Sequence, residues 1–112
     1  MLDIKCVVAI VERGKADKIV KAAKVSGASG ATIFYGRGTG ESEVKKFLSV
    51  NIEASKEVIL ILSEREKLKA IITAMVDAGD LKKPGTGIIF TVPVGHLIGL
   101  HHREDFDDLD DI

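Results

Sequence analysis

The chain has 112 residues, enough for one compact domain, and 46% of them are hydrophobic, so a buried core can form. Charged residues make up 29% of the chain and leave a formal net charge of −1. This balance argues against a general nucleic-acid-binding protein, and an aromatic content of 4% offers no platform for stacking bases.

Cellular location is indicated by what the sequence does not contain. No apolar run is long enough to span a bilayer, and the N-terminus lacks the pattern of a signal peptide. The single cysteine, Cys6, cannot form an internal disulfide, which agrees with a reducing compartment. We therefore expect one domain over residues 1–112 in the cytoplasm, without membrane insertion and without nucleic acid as a partner.

Strands and helices alternate along the chain. Residues 4–11 are rich in β-branched side chains and predict a strand, and residues 15–25 have the apolar spacing of a helix. A second strand over 31–35 leads into a glycine-rich stretch at 36–40, and residues 41–55 predict a loop with a short extended piece at 50–52. The uninterrupted apolar run at 58–62 predicts a third strand.

The second half repeats this order. Ser63 and Glu66 match a capping box, which predicts a helix from there to about Ala78, and Gly79 is expected to stop it. A loop at 80–87 precedes a fourth strand at 88–94, where Pro93 indicates an edge or a bend. The chain then ends in an acidic segment, about 104–112, which we interpret as a solvated tail or one that folds back on a basic neighbour.

The order of elements predicts an α+β ferredoxin-like βαββαβ fold, a four-stranded antiparallel sheet with both helices on one face. Strands one, three and four are apolar at successive rather than alternate positions, so both faces of the sheet require burial. Two helices can cover only one face, and a large exposed apolar patch is unusual in a monomer. We expect another copy of the chain to cover the second face.

The chain resembles the nitrogen-regulatory PII signalling family over nearly its whole length, roughly residues 2–101. The resemblance is carried by the element order, by Thr32-Ile33 followed by Gly38 and Gly40, and by the run 83–90, KPGTGIIF. It implies a homotrimer that binds ATP or ADP in the clefts between subunits. It also implies a T-loop at about 39–55 that docks on enzymes, transporters or regulators, and a B-loop at about 82–87 that cradles phosphates. The T-loop is short for the family.

The two glycine-rich loops contain residue types that suit an anion. Glycine lets backbone N–H groups approach a phosphate and permits positive φ angles, and the neighbouring cations add charge. The alternative is that the glycines only make tight turns, but two such loops from adjacent subunits would clamp one ligand. The expected ligand-binding residues are Arg37, Gly38, Gly40, Lys82, Lys83, Gly85, Thr86 and Gly87. The expected partner-binding loop contains Thr39, Glu41, Ser42, Lys45 and Lys46.

The chain departs from the family pattern at several phosphate contacts. Glu41 and Ser42 stand where the family has a basic residue and a glutamine, Ile88 replaces a lysine, and Gly99 and His101 replace two arginines. Each charge-assisted hydrogen bond is worth about 1.5–3 kcal/mol, so triphosphate affinity falls by orders of magnitude unless other cations substitute. ADP, AMP, ATP or another small anion is therefore the expected ligand, and no cofactor is expected to be required.

Two other functions are compatible with parts of the sequence. His96, His101 and His102 leave open a metal-binding trimer of the CutA type, and loss of the pocket would leave a scaffold-only interaction protein. No nucleophile–base or acid–base pair stands out, so we expect a regulator of an enzyme or transporter, with nitrogen regulation as the implied pathway, and no catalytic residue. The single tyrosine, Tyr35, lies on a predicted strand, so it has no place as a T-loop modification site.

Overall fold

The computed structural model describes residues 3–38 and 54–99. Six elements follow one another in these two ranges. Strand β1 is Ile4–Glu12, helix α1 is Ala16–Val25, and strand β2 is Thr32–Gly38. Strand β3 is Ala54–Glu64, helix α2 is Arg65–Gly79, and strand β4 is Gly87–Pro93. The predicted α+β order of elements is confirmed.

The four strands form one antiparallel sheet in the order β2-β3-β1-β4. Strands β2 and β4 are therefore its two edges, and the prediction that Pro93 ends an edge strand is confirmed. One end of the sheet, called here the loop end, holds the last residues of β1 and β2 and the first residues of β3 and β4. The opposite end is called the exit end, because β4 finishes there.

Both helices lie on one face of the sheet, where the core forms. On this face the apolar residues of the two central strands, β1 and β3, are buried against the inner sides of α1 and α2. The innermost side chains are fully buried and almost all branched: Val7, Val11, Ile19, Ile59, Ile61, Ile71 and Met75. Branched side chains pack well on a pleated surface, so the β-branched runs in the sequence become this layer.

The other face of the sheet, called here the open face, is apolar and uncovered within the chain. Besides Ile4 near the start of β1, which is buried, ten apolar side chains lie on it by register: Cys6, Val8, Ile10, Phe34, Val58, Leu60, Leu62, Ile88, Phe90 and Val92. All ten are half-buried or exposed, and the five largest exposed ones keep between 41% and 56% of their surface. The predicted apolar character of both sheet faces is thus confirmed.

The predicted capping box at the start of the second helix is wrong, and the helix ends one residue after the predicted Ala78. Ser63 belongs to β3, because pairing with β1 continues to the pair Ile4 and Glu64, and the helix begins at Arg65. The Ser63 hydroxyl donates to the carbonyl oxygen of Glu64 at 2.8 Å instead of capping a helix. At the other end Gly79 is still helical, and Asp80 takes the left-handed conformation with φ 54° that ends α2.

The glycine-rich stretch after β2 is also more regular than its composition indicates. Gly36, Arg37 and Gly38 continue the strand, because they pair with residues 56, 55 and 54 of β3. Strand β3 correspondingly starts four residues before the predicted position. The predicted extended piece at 50–52 and the acidic tail lie outside the described residues. Within the described part, neither helix has the length and apolar character needed to cross a membrane.

Candidate functional site

The loop at 82–87 is folded around one hydroxyl. The single hydroxyl proton of Thr86 is shared between the carbonyl oxygens of Asp80, 2.9 Å from Oγ1, and Lys83, 2.8 Å from Oγ1. Backbone bonds from Lys83 N–H to Asp80 and from Thr86 N–H to Lys83 close the same turn. The expected role of Thr86 was to offer its hydroxyl to a ligand. Its observed bonds instead hold the loop that displays the neighbouring groups, while its lone pairs stay available as acceptors.

Two glycines of this loop occupy positions that a side chain would disturb. Gly85 has φ +81° in open space, a conformation that favours glycine. Gly87 has φ +150°, and a Cβ there would lie 2.7 Å from the carbonyl oxygen of Ile10. Gly87 therefore allows the loop to join β4 against β1, a structural role independent of any ligand. Gly85 is the one whose backbone is free to face an anion.

The cations of this loop are on the surface. Lys82 and Lys83 are exposed, and Lys83 Nζ lies 3.8 Å from the carboxylate of Asp80. An exposed pair of this kind contributes little to stability. Lys83 can therefore leave Asp80 for a phosphate at small cost.

The second predicted half of the site lies at the end of β2. Arg37 and Gly38 are there, on the edge strand at the loop end of the sheet. The side chain of Lys56 crosses Gly38, since a Cβ on that glycine would lie 2.9 Å from Lys56 Cε. Lys56 was not among the predicted site residues. No sequence motif indicates it, because its position depends on the pairing of β3 with Gly36 of β2.

The two halves do not meet within one chain. Arg37 and Gly38 lie on the β2 edge, whereas the 82–87 loop leads into β4 at the opposite edge, with β3 and β1 between them. Neighbouring strands are about 4.8 Å apart, so the two edges are separated by roughly 14 Å. One phosphate group cannot contact both halves of a single subunit.

A cavity of about 450 Å³ opens at the β2 edge toward the exit end of the sheet. Its walls are mainly apolar and include Ala31, Thr32, Leu60, Leu62 and Ile71, with Glu64 and Lys67 as charged groups. It forms because β3 extends past the start of β2, so the 27–31 segment, rather than a strand, borders β3 there. Its size is in the range of small-molecule sites.

A buried carboxylate at the loop end organises the neighbouring turn. Glu57 is 6% exposed and accepts hydrogen bonds from the backbone N–H groups of Gly14 and of Ala16, the latter at 3.3 Å. It thereby caps the start of α1 from a different element, and Lys15 at the N-cap position makes no side-chain cap. The sequence contains no signal for this contact, which joins residues more than 40 positions apart.

An arginine and an aromatic ring pair on the helix side of the same end. The guanidinium of Arg13 lies 5.4 Å from the centroid of the Tyr35 ring. Tyr35 is on β2, as predicted, and its ring is exposed. The pair is a cation–π contact of the exposed kind, worth about 0.5–1 kcal/mol.

Several predicted site residues lie outside the described residues. These are Gly40 of the ligand set and the partner-binding residues Thr39, Glu41, Ser42, Lys45 and Lys46. His101 and His102 lie outside as well. In the ranges 3–38 and 54–99 there is no group of three or more histidine, cysteine or acidic side chains that could hold a metal ion.

Comparison with known proteins gives one family and one fold. The family model for nitrogen regulatory protein P-II matches residues 4–104. The crystal structure of PII from Arabidopsis thaliana bound to citrate has a TM-score of 0.71 and 22% sequence identity, covering 89% of this chain and 85% of that one. No curated protein matches the sequence significantly.

Proposed function

Since this chain belongs to the nitrogen regulatory protein P-II family, we propose that it is a non-enzymatic signal-transduction protein. It senses a small ligand in the cytoplasm and regulates a partner enzyme or membrane transporter, in nitrogen regulation. The proposal is supported by family membership together with one observation on the structure: the two groups of residues expected to bind an anion lie at opposite edges of the sheet.

The open face supplies the reason for assembly. Ten apolar side chains on one face of a four-stranded sheet form a patch that a second copy would cover. We propose a homotrimer in which the three open faces turn inward, as in the family. Rotational symmetry then brings the β2 edge of each subunit beside the β4 edge of the next.

This arrangement completes the ligand site. The β2 edge supplies Arg37, Gly38 and Lys56, and the β4 edge of the adjacent subunit supplies Lys82, Lys83 and Gly85. Together they provide four cations and glycine backbones, the chemistry that recognises phosphate oxygens. Lys56 compensates for part of the charge lost at Glu41 and Ile88. Since other phosphate contacts of the family are absent from the sequence, we expect ADP or AMP to bind in preference to ATP, whose triphosphate needs more of those contacts.

The apolar cavity lies at the same β2 edge but not beside these cations. It opens toward the exit end near Thr32, whereas Gly38 lies at the loop end, six residues along β2 or roughly 20 Å away. One nucleotide therefore cannot place its base in this cavity and its phosphates at Gly38. Ala31→Leu, which would fill part of the cavity, should leave ADP affinity unchanged, whereas loss of a cation should weaken it.

The output of the sensor is the T-loop, which begins directly after Gly38. A ligand shifts a conformational equilibrium only if it binds one state better than the other. A phosphate held at Gly38 and Lys56 contacts the first residues of that loop, so it can favour one loop conformation. We propose that Thr39, Glu41, Ser42, Lys45 and Lys46 present this conformation to the partner protein.

A binding screen tests the ligand. Calorimetry with ATP, ADP, AMP, cyclic AMP, 2-oxoglutarate and bicarbonate should give a signal with at least one adenine nucleotide. Lys83→Gln and Lys56→Gln should each weaken that ligand about tenfold or more, by loss of one charge-assisted contact. Lys69→Gln, an exposed lysine on α2, is the matched control and should leave affinity unchanged. No signal with any nucleotide would favour a scaffold that has no ligand site.

A mixing experiment tests whether the site is shared. Subunits carrying Lys56→Gln and subunits carrying Lys83→Gln are co-refolded in equal amounts. In a shared site, one cleft in about four receives both intact edges, so about a quarter of the wild-type capacity returns. A site confined to one subunit would give no recovery, because every subunit carries one defect.

A further inference from the structure

Charge is distributed unevenly along this chain. Residues 104–112 contain six carboxylate side chains and no cation, so the other 103 residues carry a formal net charge of +5. Three apolar side chains, Phe106, Leu109 and Ile112, recur at every third position among these acids. The family match ends at residue 104, so all but the first residue of this segment lies outside the part of the chain that the family model describes.

The outer surfaces of the two helices have the opposite charge. Helices α1 and α2 together carry six cations and three carboxylates, Asp17, Glu66 and Asp77. Five of the cations are exposed lysines that make no ion pair with any residue in the described ranges: Lys18, Lys21, Lys24, Lys67 and Lys69. The sixth, Arg65, contacts Asp3 at 3.4 Å. This surface is called here the basic helix layer.

An apolar side chain lies within this layer. Val25, the last residue of α1, is 85% exposed and follows directly after Lys24. It is the most exposed large hydrophobic residue of the described part of the chain. A segment that combines carboxylates with apolar side chains therefore matches the layer in both respects.

The chain leaves the sheet beside this layer. The N–H of Val94, just after β4, donates to the carbonyl oxygen of Ile4. The N–H of Arg65, at the start of α2, donates to the carbonyl oxygen of Asp3. The side chain of Lys67 in the first turn of α2 lies beside Gly27 after α1, since a Cβ on that glycine would be 3.5 Å from Lys67 Cδ, so the end of α1 is at the same place. Glu104 follows Val94 by ten residues, a reach of up to about 34 Å. The acidic segment can therefore reach the lysines of its own subunit.

We propose that the basic helix layer is a docking surface for an acidic segment with interspersed apolar residues, and that its occupant is residues 104–112 of this protein. The carboxylates face the exposed lysines near the exit end, and an apolar side chain covers Val25. Bound in this way, the segment shields the layer from other anions. The proposal requires neither the nucleotide site nor the trimer.

Zero-length cross-linking with a carbodiimide tests this docking in the intact protein. It joins a carboxylate to an amine only when the two are in contact, and peptide mass spectrometry identifies the pair. We expect links from residues 104–111 to Lys21, Lys24, Lys67 or Lys69. These links should be lost at 1 M salt, where screening shortens the Debye length to about 3 Å. Lys82 and Lys83, equally exposed at the opposite end of the sheet, are the internal control.

Two variants decide the result. Lys21→Gln with Lys24→Gln should reduce the links, while Lys82→Gln with Lys83→Gln should not. In parallel, deletion of residues 104–112 should shift the amide resonances of α1 and of the first turn of α2. Links mainly to Lys82 and Lys83, an absence of links, or unchanged α1 resonances after deletion would each overturn the proposal.

Discussion

Introducing a charge on the open face should prevent assembly without unfolding the subunit. Phe90 lies on β4, opposite Val8 of β1, and is 44% exposed in the single chain. Phe90→Glu therefore places a carboxylate at a position that a lone subunit leaves half open to water. In a trimer built on this face the same carboxylate would be buried three times.

The free energy that assembly gains can be estimated from the exposure of the five large side chains on this face. Full burial of such a side chain stabilises by about 1.5–3 kcal/mol, so covering its exposed half contributes about 1 kcal/mol. The five side chains together contribute roughly 4–7 kcal/mol per subunit. Phe90→Glu removes about 1 kcal/mol of this and adds several kcal/mol for an unpaired buried charge. The loss per subunit is comparable to the whole gain, so the trimer should dissociate at micromolar concentrations.

Light scattering after size exclusion, with circular dichroism to verify folding, measures the outcome. Thr91→Glu is the matched control, because Thr91 is the next residue of β4, is exposed, and lies on the helix side of the sheet. It should leave the wild-type mass unchanged. A wild-type protein that is monomeric, or a folded Phe90→Glu variant with trimer mass, would refute the role assigned to the open face.

Three further changes test the architecture of the loop end by urea denaturation. Glu57→Ala should lower the free energy of unfolding by about 2–4 kcal/mol, because two N–H groups at the start of α1 lose their acceptor. Glu57→Gln keeps an acceptor oxygen, so it should lower the free energy of unfolding by less than half as much. Gly87→Ala should cost more than Gly85→Ala, since only at Gly87 would the new Cβ lie 2.7 Å from the carbonyl oxygen of Ile10; equal losses would contradict this. Thr86→Val should cost about 1 kcal/mol and weaken any bound nucleotide, because the 82–87 loop loses the hydroxyl that holds it; unchanged affinity would remove the loop from the site.

The changes at Gly87 and Thr86 alter structural and expected ligand-binding roles together. Both residues were expected to bind an anion, yet each has an evident packing or hydrogen-bonding role in the single chain. A loss of binding in a destabilised Gly87 variant would therefore be ambiguous. Lys83→Gln and Lys56→Gln are the sharper tests, since neither side chain is buried.

Local patterns in the sequence were enough to predict the type and order of the elements. The apolar spacing of 15–25, the continuous apolar run at 58–62 and the glycines between them are properties of neighbouring residues, so they can be recognised in one chain. The apolar character of both sheet faces was predictable for the same reason. The two loops with glycines and cations were also recognised as candidates for an anion site.

Long-range pairing decided what these patterns left open. Gly36 to Gly38 are strand residues only because β3 lies beside them, and Ser63 is no helix cap because β1 extends the sheet as far as Glu64. Lys56 near Gly38 and Glu57 at the start of α1 likewise depend on contacts between residues distant in sequence. The separation of Arg37 from Lys83 by two strands follows from the sheet order. Side-chain periodicity reports the environment of each segment, whereas strand order and register are set by packing the whole chain. For that reason only the tertiary structure shows that the two candidate loops lie at opposite edges of one sheet.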